Sequence, residues 1–148
     1  MTTPTELFLA AVRARDRLTE DAAALLRVHG LTSAQYNVLR ILRGAESKAQ
    51  RGATGLPCRV IGERLLTRGP DVTRLVDGLL RAGWVERARA SADRRVVEVR
   101  LLPAARRLLE DLDEPVRDLH ERQFARLTDA EREQLLGLLE CVGLRDPN

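Results

Sequence analysis

This sequence predicts a mainly α-helical fold with a small two-stranded β wing: a winged helix-turn-helix with long helices at both chain ends. Three observations lead there. Apolar residues recur at helical spacing over most of the 148 residues. Two short amphipathic stretches flank the turn Thr67-Arg68-Gly69-Pro70. After Gly83 the period changes from helical to alternating, as in a half-buried strand. The length suits one domain, 44% hydrophobic residues suffice for a core, and no apolar run reaches the ~18 residues of a membrane span.

Each element carries its own signals. Thr3, Pro4 and Glu6 read as an N-cap, a proline at the first helical position and the acidic arm of a capping box. They open a helix from about Pro4 to His29, with Leu9, Val12, Leu18, Leu25 and Val28 as its stripe and Gly30 as its stop. Thr32 and Gln35 start the next helix, Leu31 is placed to staple onto Tyr36, and Val38, Leu39 and Leu42 form the buried face. Gly44 to Leu56 is polar, glycine-rich and aperiodic, which predicts a long loop.

Val60, Ile61, Leu65 and Leu66 mark a short helix. A second one begins near Pro70, with Val72, Leu75, Val76, Leu79 and Leu80 as its apolar face. Trp84-Val85 leads into one strand, and Val97, Val99 and Leu101 alternate with Glu98 and Arg100 in another, around a tip from Ala90 to Arg95. Pro103 starts a helix bearing Leu108, Leu109, Leu112, Val116 and Leu119, with a kink expected at Pro115. Thr128 and Glu131 cap the last helix, which carries Leu135, Leu136, Leu138, Leu139 and Val142.

The net charge of +3 is unevenly spread. Residues 1–58 hold 8 basic and 5 acidic side chains (+3), residues 59–102 hold 10 and 6 (+4), and residues 103–148 hold 7 and 11 (−4). A basic front and an acidic tail predict that one face meets a polyanion. Lys48 is the single lysine; every other cation is arginine, which suits bidentate phosphate and guanine contacts and also follows from a codon bias.

The element order assigns roles by shape. A major groove about 12 Å wide admits one helix, whose N-terminal residues reach base edges; here these are Arg68, Asp71, Thr73 and Arg74. Arg94 and Arg95 at the hairpin tip suit the adjacent minor groove. Arg87, Arg89 and Arg100 on the strands are placed to neutralise phosphates, although arginines on a solvated sheet face would look the same.

The stretches LTSAQYNVLRIL, VTRLVDGLLRAGWVER, ADRR and LTDAEREQLLGLL, in this order and spacing, resemble the MarR family (multiple antibiotic resistance regulators) over about residues 31–142. The resemblance implies a homodimer with intertwined terminal helices and two winged helices reading a palindromic operator in double-stranded DNA. It places Thr73 and Arg74 at the major groove, has Asp93 orient the arginines by an ion pair, and inserts Arg95 into the minor groove. It divides one domain, 1–148, into dimerisation helices (1–30 and 103–148) and a DNA-binding lobe (31–102). The chain departs from the family pattern in its long loop 44–56, in Leu102 and Ala105 where threonine and glycine are usual, and in Gly69-Pro70-Asp71.

Dimerisation has a separate argument: the terminal helices carry apolar stripes that the segment 59–102 is too small to cover, and a second copy is the simplest cover. Members of the family respond to small phenolic or aromatic ligands in a cleft between dimerisation helices and winged helix, and Tyr36 and Trp84 are the candidate wall residues here. With Phe8, Tyr36, Trp84 and Phe124 as the only aromatics, the walls should be mostly aliphatic with arginine at the rim.

The expectation is therefore a repressor relieved by a small effector. Two alternatives are a winged-helix protein-interaction module without DNA contact and a redox-sensing regulator using Cys58, which stands where a helix N-terminus favours the thiolate. No enzyme, cofactor or metal is expected, since His29 and His120 stand far apart and no phosphate loop or nucleophile arrangement is present. The start MTTPTELF lacks a basic then apolar leader, which predicts a cytoplasmic protein without a signal peptide.

Overall fold

The computed structural model describes residues 1–48, 55–67, 71–90 and 93–143. Among them the order is α1 (Pro4–Arg27), α2 (Ser33–Lys48), β1 (Gly55–Leu56), α3 (Cys58–Arg64), α4 (Val72–Arg81), β2 (Val85–Arg89), β3 (Val97–Leu101), α5 (Pro103–Gln123) and α6 (Asp129–Gly143).

The helix starts follow their local signals. In α1 the Glu6 amide donates to Thr3 Oγ1 (3.2 Å) while Glu6 Oε2 accepts from the Thr3 amide (2.7 Å). That backbone N–H, with the Thr3 hydroxyl, holds the Glu6 carboxyl below its usual range. Thr32 and Gln35 close the same reciprocal box before α2, at 3.0 and 3.1 Å, and Thr128 with Glu131 does so before α6. Leu102 precedes α5 without a side-chain cap, so Pro103 starts that helix with its preset φ alone. The helix runs on through Pro115 to Gln123.

Four expectations need correction. On α1 the buried residue is Leu26, and Val28 is 84% exposed because the helix ends before it at Arg27. The stretch expected as a loop from Gly44 to Leu56 begins as α2, which continues to Lys48; Arg43 and Glu46 on this last part are anchored by ion pairs to α5, and this outweighs the helix-weakening glycine. Residues 49–54 of that stretch lie outside the described residues. The wing is not a two-stranded hairpin alone: Gly55–Leu56 pairs with β3, giving an antiparallel sheet of order β1-β3-β2. Two residues are too short for an alternation signal. A Cβ at Gly55 would lie 2.6 Å from Arg100 Cγ and 2.8 Å from the Val99 carbonyl oxygen, so the close pairing requires glycine there.

The fourth correction concerns what starts α4: the helix begins at Val72, close to Pro70 as expected, but Asp71 and not the proline opens it, as its N-cap. Pro70 itself lies outside the described residues. At the far end Gly83 adopts φ 74°, the left-handed turn that reverses the chain from α4 into β2.

The core sits around α2, which packs against α1, α3, α4, α5, β1 and β3. Val38, Leu39 and Leu42 of α2 are fully buried with Ile61, Val76, Leu79, Ala105, Leu109 and Leu112. Truncating such a leucine to alanine costs about 2–5 kcal/mol, so the buried face of α2 contributes substantially to the lobe's stability. By contrast α6 buries no residue, and Leu136, Leu138, Leu139 and Val142 are exposed.

Candidate functional site

The start of α4 is built from its own cap. Asp71 Oδ1 accepts from the amides of Thr73 (3.0 Å) and Arg74 (3.3 Å), satisfying two of the helix's free N–H groups. The Asp71 carboxylate is thereby committed to the backbone, while the Thr73 and Arg74 side chains of the same turn are exposed. Upstream, Asn37 Oδ1 on α2 accepts from the Leu66 amide (3.0 Å), fastening the segment after α3 to the core helix. Arg68 lies outside the described residues.

The wing is held in register from Val85↔Leu101 to Arg89↔Val97. At its tip Asp93 Oδ1 accepts from the Arg95 amide (2.9 Å), and the Val96 amide donates to the Asp93 carbonyl (3.0 Å). This corrects the expected ion pair: a nearby backbone donor takes the Asp93 carboxylate, and no guanidinium pairs with it among the described residues. Arg94 and Arg95 are exposed, and Arg89 Nη1 donates to the Arg94 carbonyl (2.9 Å), stiffening the tip.

Two strand arginines are already engaged. Arg87 pairs with Asp77 of α4 at 2.8 Å, which ties β2 to the helix. Arg100 is turned onto Glu98 at 3.2 Å, both side chains largely buried. Arg89, Arg94 and Arg95 remain as wing cations without a carboxylate partner among the described residues.

A second feature is a cleft of about 560 Å³ between α2, α5 and α6. Tyr36, Val116, Phe124 and Leu135 supply apolar wall, and Arg40, Asp113 and Arg117 bring charge to it. The Arg40 guanidinium carbon lies 6.0 Å from the Tyr36 ring centroid, within cation–π range. Burial pushes the Tyr36 hydroxyl pKa up. Arg43 grips Asp113 with two hydrogen bonds of 2.8 and 2.7 Å, which hold the Asp113 carboxyl below the usual carboxylate range. His120 also lines the cleft, its Nδ1 3.2 Å from Gln123 Oε1, and Gln123 Nε2 donates to the Leu18 carbonyl of α1 (3.1 Å).

Of the two aromatic residues expected to wall a cleft, Tyr36 is there and Trp84 is not; Trp84 follows the α4 turn and packs against the core. Phe124 takes the second aromatic place, and the four aliphatic side chains Val116, Leu135, Leu136 and Leu139 share the wall with Arg40, Arg117, Arg132, His120, Asp113 and Glu121, so the aliphatic share is smaller than expected. Cys58 is the first residue of the seven-residue α3, half-buried against the core, and Cys141 on α6 is exposed; both are free. Among the described residues no His, Cys, Asp and Glu grouping could hold a metal ion, and no helix is long and apolar enough to cross a membrane.

Comparison with known proteins places this arrangement. Residues 29–96, from the end of α1 to the wing tip, match the model of the MarR family. The crystal structure of a MarR transcription factor from Planctomyces limnophilus is 38% identical, with 95% of this chain and 98% of that one aligned at a TM-score of 0.69. A mutant of MarR from E. coli, complexed with operator DNA, superposes at a TM-score of 0.79 with 26% identity over 93% of this chain and 94% of that one. The transcriptional repressor IacR of Pseudomonas putida is 27% identical over 135 residues, 91% of this chain and 76% of that protein.

Proposed function

Because the chain belongs to the MarR family of transcriptional regulators, we propose that it acts as a homodimeric repressor in the cytoplasm, binds a palindromic operator in double-stranded DNA, and is released by a small ligand. The observation that carries the DNA-binding part is the pairing of an arginine-bearing helix start with an arginine-tipped wing, the two joined by the Asp77–Arg87 bridge. Thr73 and Arg74 stand at the N-terminal turn of α4, where a helix in the major groove meets base edges. Arg95 enters the minor groove, and Arg89 and Arg94 meet backbone phosphates. Asp71 and Asp93 act behind them, each holding amides of the segment that presents the arginines. The E. coli relative seen with operator DNA and the repressor from P. putida support the same reading.

Dimerisation is supported by the apolar residues left uncovered at the chain ends. Leu7, Phe8 and Leu9 of α1 and Leu136, Leu138, Leu139 and Val142 of α6 are 45–84% exposed. A second copy covers such a surface most economically, because a two-fold interface repeats the same patch. The effector site is the α2–α5–α6 cleft, whose volume falls within the range of small-molecule pockets.

Selecting bound fragments from genomic or random DNA with the purified protein tests the reading. The expected result is an enriched palindrome with half-sites about one helical turn, ~10 bp, apart. Recovery of no fragment above background at low salt would overturn it.

A further inference from the structure

From base to tip, one face of β2 carries three anchors. Side chains alternate along a strand, so Val85, Arg87 and Arg89 share a face. Val85 is buried in the core, which turns that face towards the lobe. Arg87, about 7 Å further out, donates from Nη2 to Asp77 Oδ1 of α4 (2.8 Å). Arg89 comes last and donates to the Arg94 carbonyl at the tip (2.9 Å). In the sheet order β1-β3-β2, β2 is an edge strand, so no further strand braces its outer side. Among the described residues the Arg87–Asp77 contact is the one side-chain hydrogen bond between α4 and the wing; the other side-chain bonds of β2, β3 and the tip stay within the wing.

Asp77 stands where a carboxylate alone would oppose DNA. It follows Thr73 by four residues and Arg74 by three, which puts it on the same side of α4, one turn further along. A bare negative charge there repels phosphate, so on charge alone its removal should strengthen binding. Arg87 neutralises it and is itself withdrawn from phosphate. The two side chains are 43% and 40% exposed, and an ion pair so open to water adds little to folding stability. What it does fix is the angle between α4 and the strand that carries the tip.

We propose that Asp77 and Arg87 are positioning residues: their bridge sets the wing against α4 so that Arg95 reaches the minor groove while Thr73 and Arg74 hold the major groove. Neither Asp77 nor Arg87 touches DNA. The two grooves lie at a fixed separation on the duplex, and a wing free to swing makes the second contact only by giving up that freedom. The bridge orders the wing before DNA arrives. The inference rests on the lobe binding DNA through these residues, as proposed above.

Anisotropy titrations of the full chain test it, using the selected fragment with A·T and with G·C pairs in the flanks where the wings lie. Asp77→Ala should bind the A·T duplex about two- to fivefold more weakly than wild type, the reverse of what loss of a negative charge gives. Asp77→Ala combined with Arg87→Gln should bind no more weakly than Arg87→Gln alone, because the bridge is already broken. Arg87→Gln should keep the wild-type slope of log affinity against log salt, whereas loss of a phosphate contact would remove about 0.9 of slope per copy. Each variant should also lose part of the preference for A·T flanks. That ratio does not depend on how much of the protein is folded, so a merely structural role would leave it unmoved. Equal or tighter binding by Asp77→Ala, multiplied losses in the double variant, a reduced salt slope in Arg87→Gln or an undiminished A·T preference would each overturn the positioning role. A wild-type chain that binds no DNA, or binds both duplexes equally, defeats the reading above, whereas wild-type discrimination with an unaltered Asp77→Ala defeats the bridge's role alone.

Discussion

Asp71 and Asp93 perform one task at two places, each accepting a backbone N–H at the start of a segment that displays arginine. Their positions were legible in the sequence, but their partners were not. Both stand in rows of arginines, which suggests base contacts or ion pairs, yet a carboxylate two residues from a free amide meets that donor before any flexible guanidinium. The exposed side chains they leave free carry the DNA prediction. Arg74→Ala should cost about 1–3 kcal/mol of operator affinity through loss of a bidentate base contact, and Arg95→Ala should weaken binding at narrow-groove sites. Titration of the selected fragment by fluorescence anisotropy measures both, and wild-type affinity in both variants would contradict the assignment. Asp113 makes a separate prediction about pH. Arg43 lowers its carboxyl pKa in the folded state, so the pair's stabilisation is present above about pH 4 and is lost as pH falls through the lower folded value. Arg43 is shifted up, and that contribution is lost only in strong base. In urea melts the gap between wild type and Asp113→Asn should be constant near neutrality and close in acid, staying small because the Asp113 side chain is half exposed. A gap undiminished near the acid limit would be the wrong outcome.

Among the elements, what was legible was what neighbours in sequence decide. The capping boxes at Thr3, Thr32 and Thr128 depend on residues three apart, and all three form. The continuation of α2 to Lys48 depends on Asp113 and Arg106, 60 to 70 residues away, and the strand at Gly55–Leu56 depends on Val99 and Arg100. No period in the local sequence records such partners. The cleft was missed in part for the same reason: Phe124 and Arg40 come together only when α5 and α6 fold back against α2. The third strand carries its own test. In Gly55→Ala the new methyl meets the Val99 carbonyl and the Arg100 side chain, and overpacking of this kind costs about 1–3 kcal/mol in chemical unfolding. Unchanged stability would mean that β1 does not pair closely with β3.

At the scale of the whole molecule the charge division acquires a geometry. The strongly basic segment 59–102 spans α3, α4 and the wing, and the acidic segment 103–148 spans α5 and α6. Phosphate is drawn to one part of the molecule and repelled from the other, while the exposed apolar faces of α1 and α6 lie at the chain ends, away in sequence from the reading head. Replacing Leu138 and Val142 together by glutamate should turn a dimer into a monomer in sedimentation equilibrium and lower operator affinity with it; a wild-type chain that already sediments as a monomer would refute the two-copy arrangement. The central claim, that the helix start of α4 and the arginine wing form a DNA-binding surface, is tested most directly by the salt dependence of binding to the selected fragment. A dimer contacting ~6–10 phosphates should lose on the order of a thousandfold or more in affinity between about 50 and 200 mM salt. Affinity that stays within about twofold over that range would contradict it, because counterion release on that scale accompanies any interface built on phosphate contacts.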